Sequence, residues 1–242
     1  MTPAVDKPQT PPSAARRTRS TWVMLLALTG AFGLSQAYRT VAAIMAPQLQ
    51  ADFGLSEQAL GIFAGAFHFA FGAMQIFMGV GIDLHGVRRT VLAAFPLTIA
   101  GSVLSTLATQ YGVLVLGQIL IGIGCAPAFL VCTVFVARHF PTARFATVSG
   151  LVLSIGGIGM LITGTPLAWL MEASSWRAGF LVLGACSVIA WLVIAWLVHE
   201  PEQPGIRHQS ESVRAAVRGF GALFRLPHTM GVMALACVTY AA

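Results

Sequence analysis

Charge is what this sequence has least of. Asp, Glu, Lys and Arg make up 9% of its 242 residues, where a soluble domain carries roughly a quarter, and that deficit excludes a globule surrounded by water. Catalytic signatures are missing too. There is no Gly-x-Ser-x-Gly, no His-Glu-x-x-His and no pair of acids inside an apolar run, so hydrolase and metalloprotease chemistry lack their residues and no enzyme is expected. Cysteine is scarce: Cys125, Cys132, Cys186 and Cys237 all lie in apolar stretches. They have neither metal-ligand spacing nor loop positions suited to pairing, and they read as small packing residues, with no metal or cofactor implied. Alternation of period two is also missing, which excludes barrel strands.

What the sequence has instead is length without charge. Hydrophobic residues make up 57% of it, and mean hydropathy is +0.80. A bilayer core of roughly 30 Å takes about 20 apolar residues per helix. Six stretches meet that length, at residues 22–45, 58–81, 89–108, 112–136, 146–170 and 178–198, and a seventh begins near His228. The first is too long for a signal peptide and lacks a small-residue cleavage site.

Orientation follows from the basic residues. With the N-terminus in the cytoplasm, the inner segments hold Lys7, Arg16, Arg17, Arg19, Arg88, Arg89, Arg138, Arg144, Arg207, Arg214, Arg218 and Arg225, while Arg177 falls outside and Arg39 within the first span. That asymmetry is the positive-inside pattern. The net charge of +6 therefore faces anionic headgroups of the lipid bilayer and calls for no nucleic acid.

The stretch GVGIDLHGVRR, residues 79–89, concentrates charge at the inner end of the second span. Gly79 there permits close helix approach, Gly86 a tight turn through positive φ, and Asp83 a bond to a helix N-terminus or a cation. The pattern Gly79, Asp83, Gly86, Arg88, Arg89 resembles the loop between the second and third helices of the major facilitator superfamily. It departs at Leu84 and Val87, where that family commonly has basic residues. Other stretches agree: FPTARFATVSG between spans four and five, SSWRAGF opening span six, and GQILIGIG in span four, where Gln118 stands in place of a common arginine. The glycines of SIGGIGMLITGTP suit the packing of the fifth helix.

The resemblance implies an all-α membrane protein, a six-helix transmembrane bundle of two inverted three-helix repeats, that moves a small-molecule solute by alternating access. It also implies a gate in which Gly79, Asp83, Gly86, Arg88 and Arg89 latch two halves together, and it leaves room for a coupled proton. A faint internal echo fits such repeats, because Asp83, Gly86 and Arg88 recur in spacing as Glu172, Ser175 and Arg177.

Ionisable groups inside a membrane are costly and mark function. Arg39 lies eight residues before Pro47, roughly 12 Å from that expected outer end. His68 lies ten residues past Gln58, roughly 15 Å from the same side. Gln36 shares a helix face with Arg39, and Gln75 lies two turns from His68. A buried guanidinium holds a carboxylate bidentately, so Arg39, Gln36, His68 and Gln118 are the expected substrate contacts and a small organic anion the expected solute. Snorkelling of Arg39 to the headgroups is the competing reading.

Four segments follow: a disordered cytoplasmic tail at 1–20, the bundle at 21–199, a cytoplasmic connector at 200–227 and the start of a seventh helix at 228–242. The chain reads as the N-terminal half of a transporter of a bacterial cytoplasmic membrane, its cavity face needing a C-terminal half or a second copy. A non-transporting assembly protein is the alternative.

Overall fold

The longest helix is also a broken one. In this computed structural model, which describes residues 14–199 and Gly231, α2 (Glu57–Thr106) runs for 50 residues but leaves helical geometry at Gly86, with φ 82° and ψ 170°. Only glycine enters that region without strain. The break separates a first arm, 57–85, from a second arm, 87–106. The remaining helices are α1 (Ala14–Phe53), α3 (Tyr111–Cys125), α4 (Pro127–His139), α5 (Thr142–Thr163), α6 (Thr165–Ala173) and α7 (Trp176–Leu197), and no strand occurs among the described residues.

Local chemistry sets most of these boundaries. Gly54, at φ 61°, ends α1 by bonding back from its N–H to the Gln50 carbonyl at 2.9 Å, a left-handed terminator. Ser56 opens α2 by accepting from the Ala59 N–H at 3.2 Å. Pro127 and Pro166 occupy first-turn positions of α4 and α6, where a missing N–H costs nothing. Pro96 lies inside α2 and frees the carbonyl four residues earlier. That carbonyl, of Leu92, accepts the Trp191 indole N–H of α7 at 3.0 Å.

Four stretches among the described residues are long and apolar enough to cross a membrane: Glu57–Thr106, Tyr111–His139, Thr142–Ala173 and Trp176–Leu197. The second and third expected spans both lie in the first of these, on either side of Gly86. α1 is not among the four, and its apolar run is interrupted by Ser35, Gln36, Arg39 and Thr40.

Two sequence expectations are corrected here. Residues 14–20, assigned to a disordered tail, belong to α1, because Ala14, Ala15, Arg16 and Arg17 are strong helix formers that extend an adjacent helix. The first helix also does not end at Pro47 but contains it and continues to Phe53. Residues 1–13, the connector at 200–227 and the seventh helix, Gly231 apart, lie outside the described residues.

Packing depends on small residues, as expected where the solvent is as apolar as the side chains. A Cβ added at Gly101 would lie 2.6 Å from the Gly117 carbonyl oxygen, so α2 and α3 touch backbone to backbone there. The Gly33 and Gly159 backbones meet in the same way between α1 and α5.

The buried side chains form two clusters. One, at the Gly86 end, gathers Leu28, Phe32, Val91, Phe135 and Ile194. The other, at the Trp176 end, gathers Tyr38, Met45, Phe67, Ile121 and Phe180. Between Phe32 and Tyr38 along α1 lie buried Ser35 and half-buried Gln36.

Candidate functional site

Arg39 is the central residue of the candidate site. From the end of α1 at Phe53 it stands roughly 20 Å along the axis at about 1.5 Å per residue. Its guanidinium lies over the Phe71 ring of the α2 first arm, 5.1 Å from the centroid, a cation–π contact. Its Nε is buried and has no hydrogen-bond partner. A buried donor without an acceptor costs on the order of 1–3 kcal/mol, and the Gln118 amide nitrogen is in the same condition.

Gln36, one turn earlier, leans the other way. Its amide nitrogen reaches the Met160 sulfur of α5 at 3.8 Å, a weak acceptor. Thr40 meets Thr163 of α5 at 3.2 Å, hydroxyl to hydroxyl, just before α5 stops at Gly164. Arg39 and Gln36 thus reach toward different helices, Arg39 toward α2 and Gln36 toward α5.

His68 is exposed, with Nδ1 3.0 Å from the Ala64 carbonyl and its ring edge-on to Phe67. It lies one turn from Phe71, but no hydrogen bond or ion pair joins it to Arg39. Gln75 serves the packing instead, since its amide donates to the Ala126 carbonyl at 3.2 Å and braces the junction of α3 and α4. Gln118 differs from expectation. It is 1% exposed and its amide nitrogen has no partner, so it lies within the packed helices and does not face open space; apolar neighbours on α3 draw its helix face inward.

The expected latch residues are spread along the Gly86 end. Asp83 pairs with Arg138 at the end of α4, 3.7 Å apart, with the carboxylate side chain 78% exposed. Arg88 donates to the Ala195 carbonyl of α7 at 2.8 Å, one of the carbonyls a helix end leaves unsatisfied, where a cation also suits the dipole. Arg89 is exposed. Gly79 is not needed for close approach: a Cβ there would meet Leu130 at an ordinary 3.7 Å, because the tight crossings lie elsewhere.

Sequence reasoning missed the counterpart at the other end. Asp52 of α1 accepts the Trp176 indole N–H at 2.7 Å and pairs with Arg177 at 3.5 Å. Arg177 stacks on the Trp176 ring at 4.2 Å and donates to the Ala108 carbonyl just past α2 at 3.1 Å. Arg88 and Arg177, five residues past Asp83 and Glu172, thus each hold the C-terminal end of the helix that the other opens. The Trp-Arg pair was visible in the sequence; its acid, 124 residues away in the chain, was not. Cys125 and Cys132 are buried and Cys186 is half-buried, all as free thiols; Cys237 lies outside the described residues.

A helical bundle with several apolar membrane-length stretches, glycine crossings and arginines at its helix ends is an integral multi-pass membrane protein. Residues 20–242 match the Major Facilitator Superfamily, and the chain belongs to that family. It is 28% identical over 151 residues to a probable sulfoacetate transporter of Cupriavidus necator, covering 62% of this chain and 35% of that protein. It is 27% identical over 166 residues to the hexuronate transporter of Bacillus subtilis, covering 69% of this chain and 39% of that protein. Among solved structures, FucP in the outward conformation shares the fold, with a TM-score of 0.65 at 17% identity, over 83% of this chain and 56% of its own. The chain thus spans well under half the length of those two curated relatives. Its family is one of transporters and not of enzymes.

Proposed function

We propose that this chain is part of a secondary transporter that carries a small organic anion across a bacterial cytoplasmic membrane, with the N-terminus inside. The observation that carries this reading is Arg39: a guanidinium held over Phe71 with a buried donor lacking an acceptor. An anion supplies that acceptor, and a planar carboxylate engages the guanidinium through two parallel bonds. Gln36, bound only through a thioether, turns its amide to the same solute, and exposed His68 reads its far side or carries a coupled proton. Gln118 contributes from within the bundle when helices rearrange.

The names of similar proteins support the anion: those from Cupriavidus necator and Bacillus subtilis are named for sulfoacetate and hexuronate, both anionic.

Motion in this reading is alternating access about six spans, arranged as two inverted three-helix units. The reciprocal contacts of Arg88 with Ala195 and of Arg177 with Ala108 support that symmetry. The Asp83–Arg138 pair is the releasable latch: its carboxylate is largely exposed, and such a pair is worth about 0–1 kcal/mol, so it opens at little cost. The remaining half of the transporter, or a second copy, covers the face that bears Arg39.

The test is uptake of labelled sulfoacetate and hexuronate by the complete protein carrying Arg39→Lys. Lysine keeps the charge and loses the planar fork, so transport should fall by roughly tenfold or more, the loss of about 1.5–3 kcal/mol from charged hydrogen bonds. Transport equal to that of the parent protein would remove Arg39 from the site.

A further inference from the structure

Next to Arg39 in the chain stands a residue that no transport role has claimed. Tyr38 is 1% exposed, and its hydroxyl lies 2.6 Å from Ser102 Oγ of the α2 second arm and 3.1 Å from Ser187 Oγ of α7. The two serines also bond to their own helices, Ser102 to the Thr98 carbonyl at 2.9 Å and Ser187 to the Leu183 carbonyl at 2.8 Å. Three hydroxyls have three hydrogens, so they can form an unbroken chain in either direction. In one, Ser187 donates to Tyr38, Tyr38 to Ser102, and Ser102 to the Thr98 carbonyl. In the other, the chain runs from Ser102 through Tyr38 to Ser187 and ends on the Leu183 carbonyl. Each bond in such a chain strengthens the next.

The geometry ties three helices at one point. The helices it joins to α1 are themselves fastened together by the Trp191–Leu92 bond and the contacts of Arg88 and Arg177. Successive residues on a helix point about 100° apart, so locking Tyr38 toward α2 and α7 dictates the direction of Arg39. On the opposite side of α1 the polar contacts are weaker, Gln36 to Met160 and Thr40 to Thr163, and they flank the Gly33–Gly159 crossing with α5, which packs the helices without fixing the direction of a polar side chain.

We propose that Tyr38 is the positioning residue for Arg39: its hydroxyl, held by Ser102 and Ser187, fixes the rotation of α1 and keeps the guanidinium aimed at Phe71. This rests on the reading of Arg39 as the group that receives the anion.

The test uses the complete protein in membrane vesicles, in a cysteine-free background, with Arg39→Cys labelled by N-ethylmaleimide. Adding Tyr38→Phe keeps the ring and removes the hydroxyl. The labelling rate at position 39 should change by roughly three- to tenfold, the population shift that one intramolecular hydrogen bond sustains. Phe69→Cys on α2, where Phe69 is 80% exposed, should label at an unchanged rate in the same background. Ser102→Ala and Ser187→Ala should each have a smaller effect than Tyr38→Phe, and the double variant should match it. An unchanged rate at position 39, or an equal change at position 69 from general loosening, overturns the proposal. Anion uptake that survives Arg39→Lys would instead overturn the site reading and leave the labelling result standing, so the two failures are distinct.

Discussion

The two ends of the bundle use the same parts and build different joints. Each has an acid, an arginine paired with it, and an arginine bound to a helix-end carbonyl. At the Trp176 end one arginine does both jobs, and the parts surround a buried indole: Trp176 is 1% exposed, lies against Phe53 and Phe180, and bonds to the acid that pairs with Arg177. At the Gly86 end the work is divided between Arg88 and Arg138, and Asp83 stands largely in solvent at 3.7 Å from its partner. The buried indole makes the difference. The Asp52 and Arg177 side chains are themselves 48% and 41% exposed, but both engage the Trp176 ring, so their interactions are coupled through it. The Asp83 carboxylate, by contrast, stands largely in solvent, and such a pair is worth about 0–1 kcal/mol. The first joint is a fastening and the second a catch.

The largest expected effect comes from emptying the fastening. Trp176→Ala removes a fully buried aromatic and should lower stability by about 3–5 kcal/mol, read by denaturant unfolding in detergent micelles. A loss under about 1 kcal/mol would mean that Trp176 is no keystone and that the two ends are alike.

An intermediate effect should separate the two arginines. Arg177→Met forfeits a carbonyl bond, an ion pair and an aromatic stack, and Arg88→Met forfeits the bond to the Ala195 carbonyl; each should cost about 1.5–3 kcal/mol. Amide hydrogen exchange locates each loss: the α7 C-terminal turn should exchange faster in Arg88→Met, and residues near Ala108 in Arg177→Met. Faster exchange at the same end in both variants would break the reciprocity.

The smallest effect on stability belongs to the catch. Asp83→Asn should change stability by less than about 1 kcal/mol, yet it should raise the labelling of a cysteine engineered at Leu130, which lies beside Gly79 at that end of the bundle. Unchanged labelling would leave Asp83 with a topological role and remove the functional contrast between the ends.

How much of this was legible in the sequence depends on the range of each interaction. Apolar length announced the helices, and Gly86 announced the break in α2, because those signals are local. The overrun of α1 past Pro47 was missed, since a proline bends a helix in a packed bundle without ending it. Partners were the hard part. Asp83 was singled out, but Arg138 was read only as an inner basic residue, because nothing in the chain links positions 55 residues apart. Arg39 and Gln36 shared a stripe on paper, yet in the bundle Phe71 and Met160 draw them to different helices. Gln118 is an expected substrate contact from its position in the family pattern, and that pattern does not show that α3 packing buries it. Tyr38 drew no notice, since a tyrosine in an apolar run looks like core until two serines, 64 and 149 residues away, close on its hydroxyl.

The Tyr38 knot is made of neutral hydroxyls, and that has an electrical side. Among the described residues the other Asp, Glu, Lys and Arg positions fall near helix ends or turns, and Arg39 alone stands well inside a helix away from them. In a membrane-spanning chain, a transmembrane potential does about 2.3 kcal/mol of work per elementary charge per 100 mV across the full field. The knot feels none of it, while Arg39 feels its share. Under the proposed function, a monovalent anion seated on the guanidinium would cancel that charge, so the empty and loaded forms would respond differently to voltage, the empty form alone carrying a net charge through the field if α1 moves.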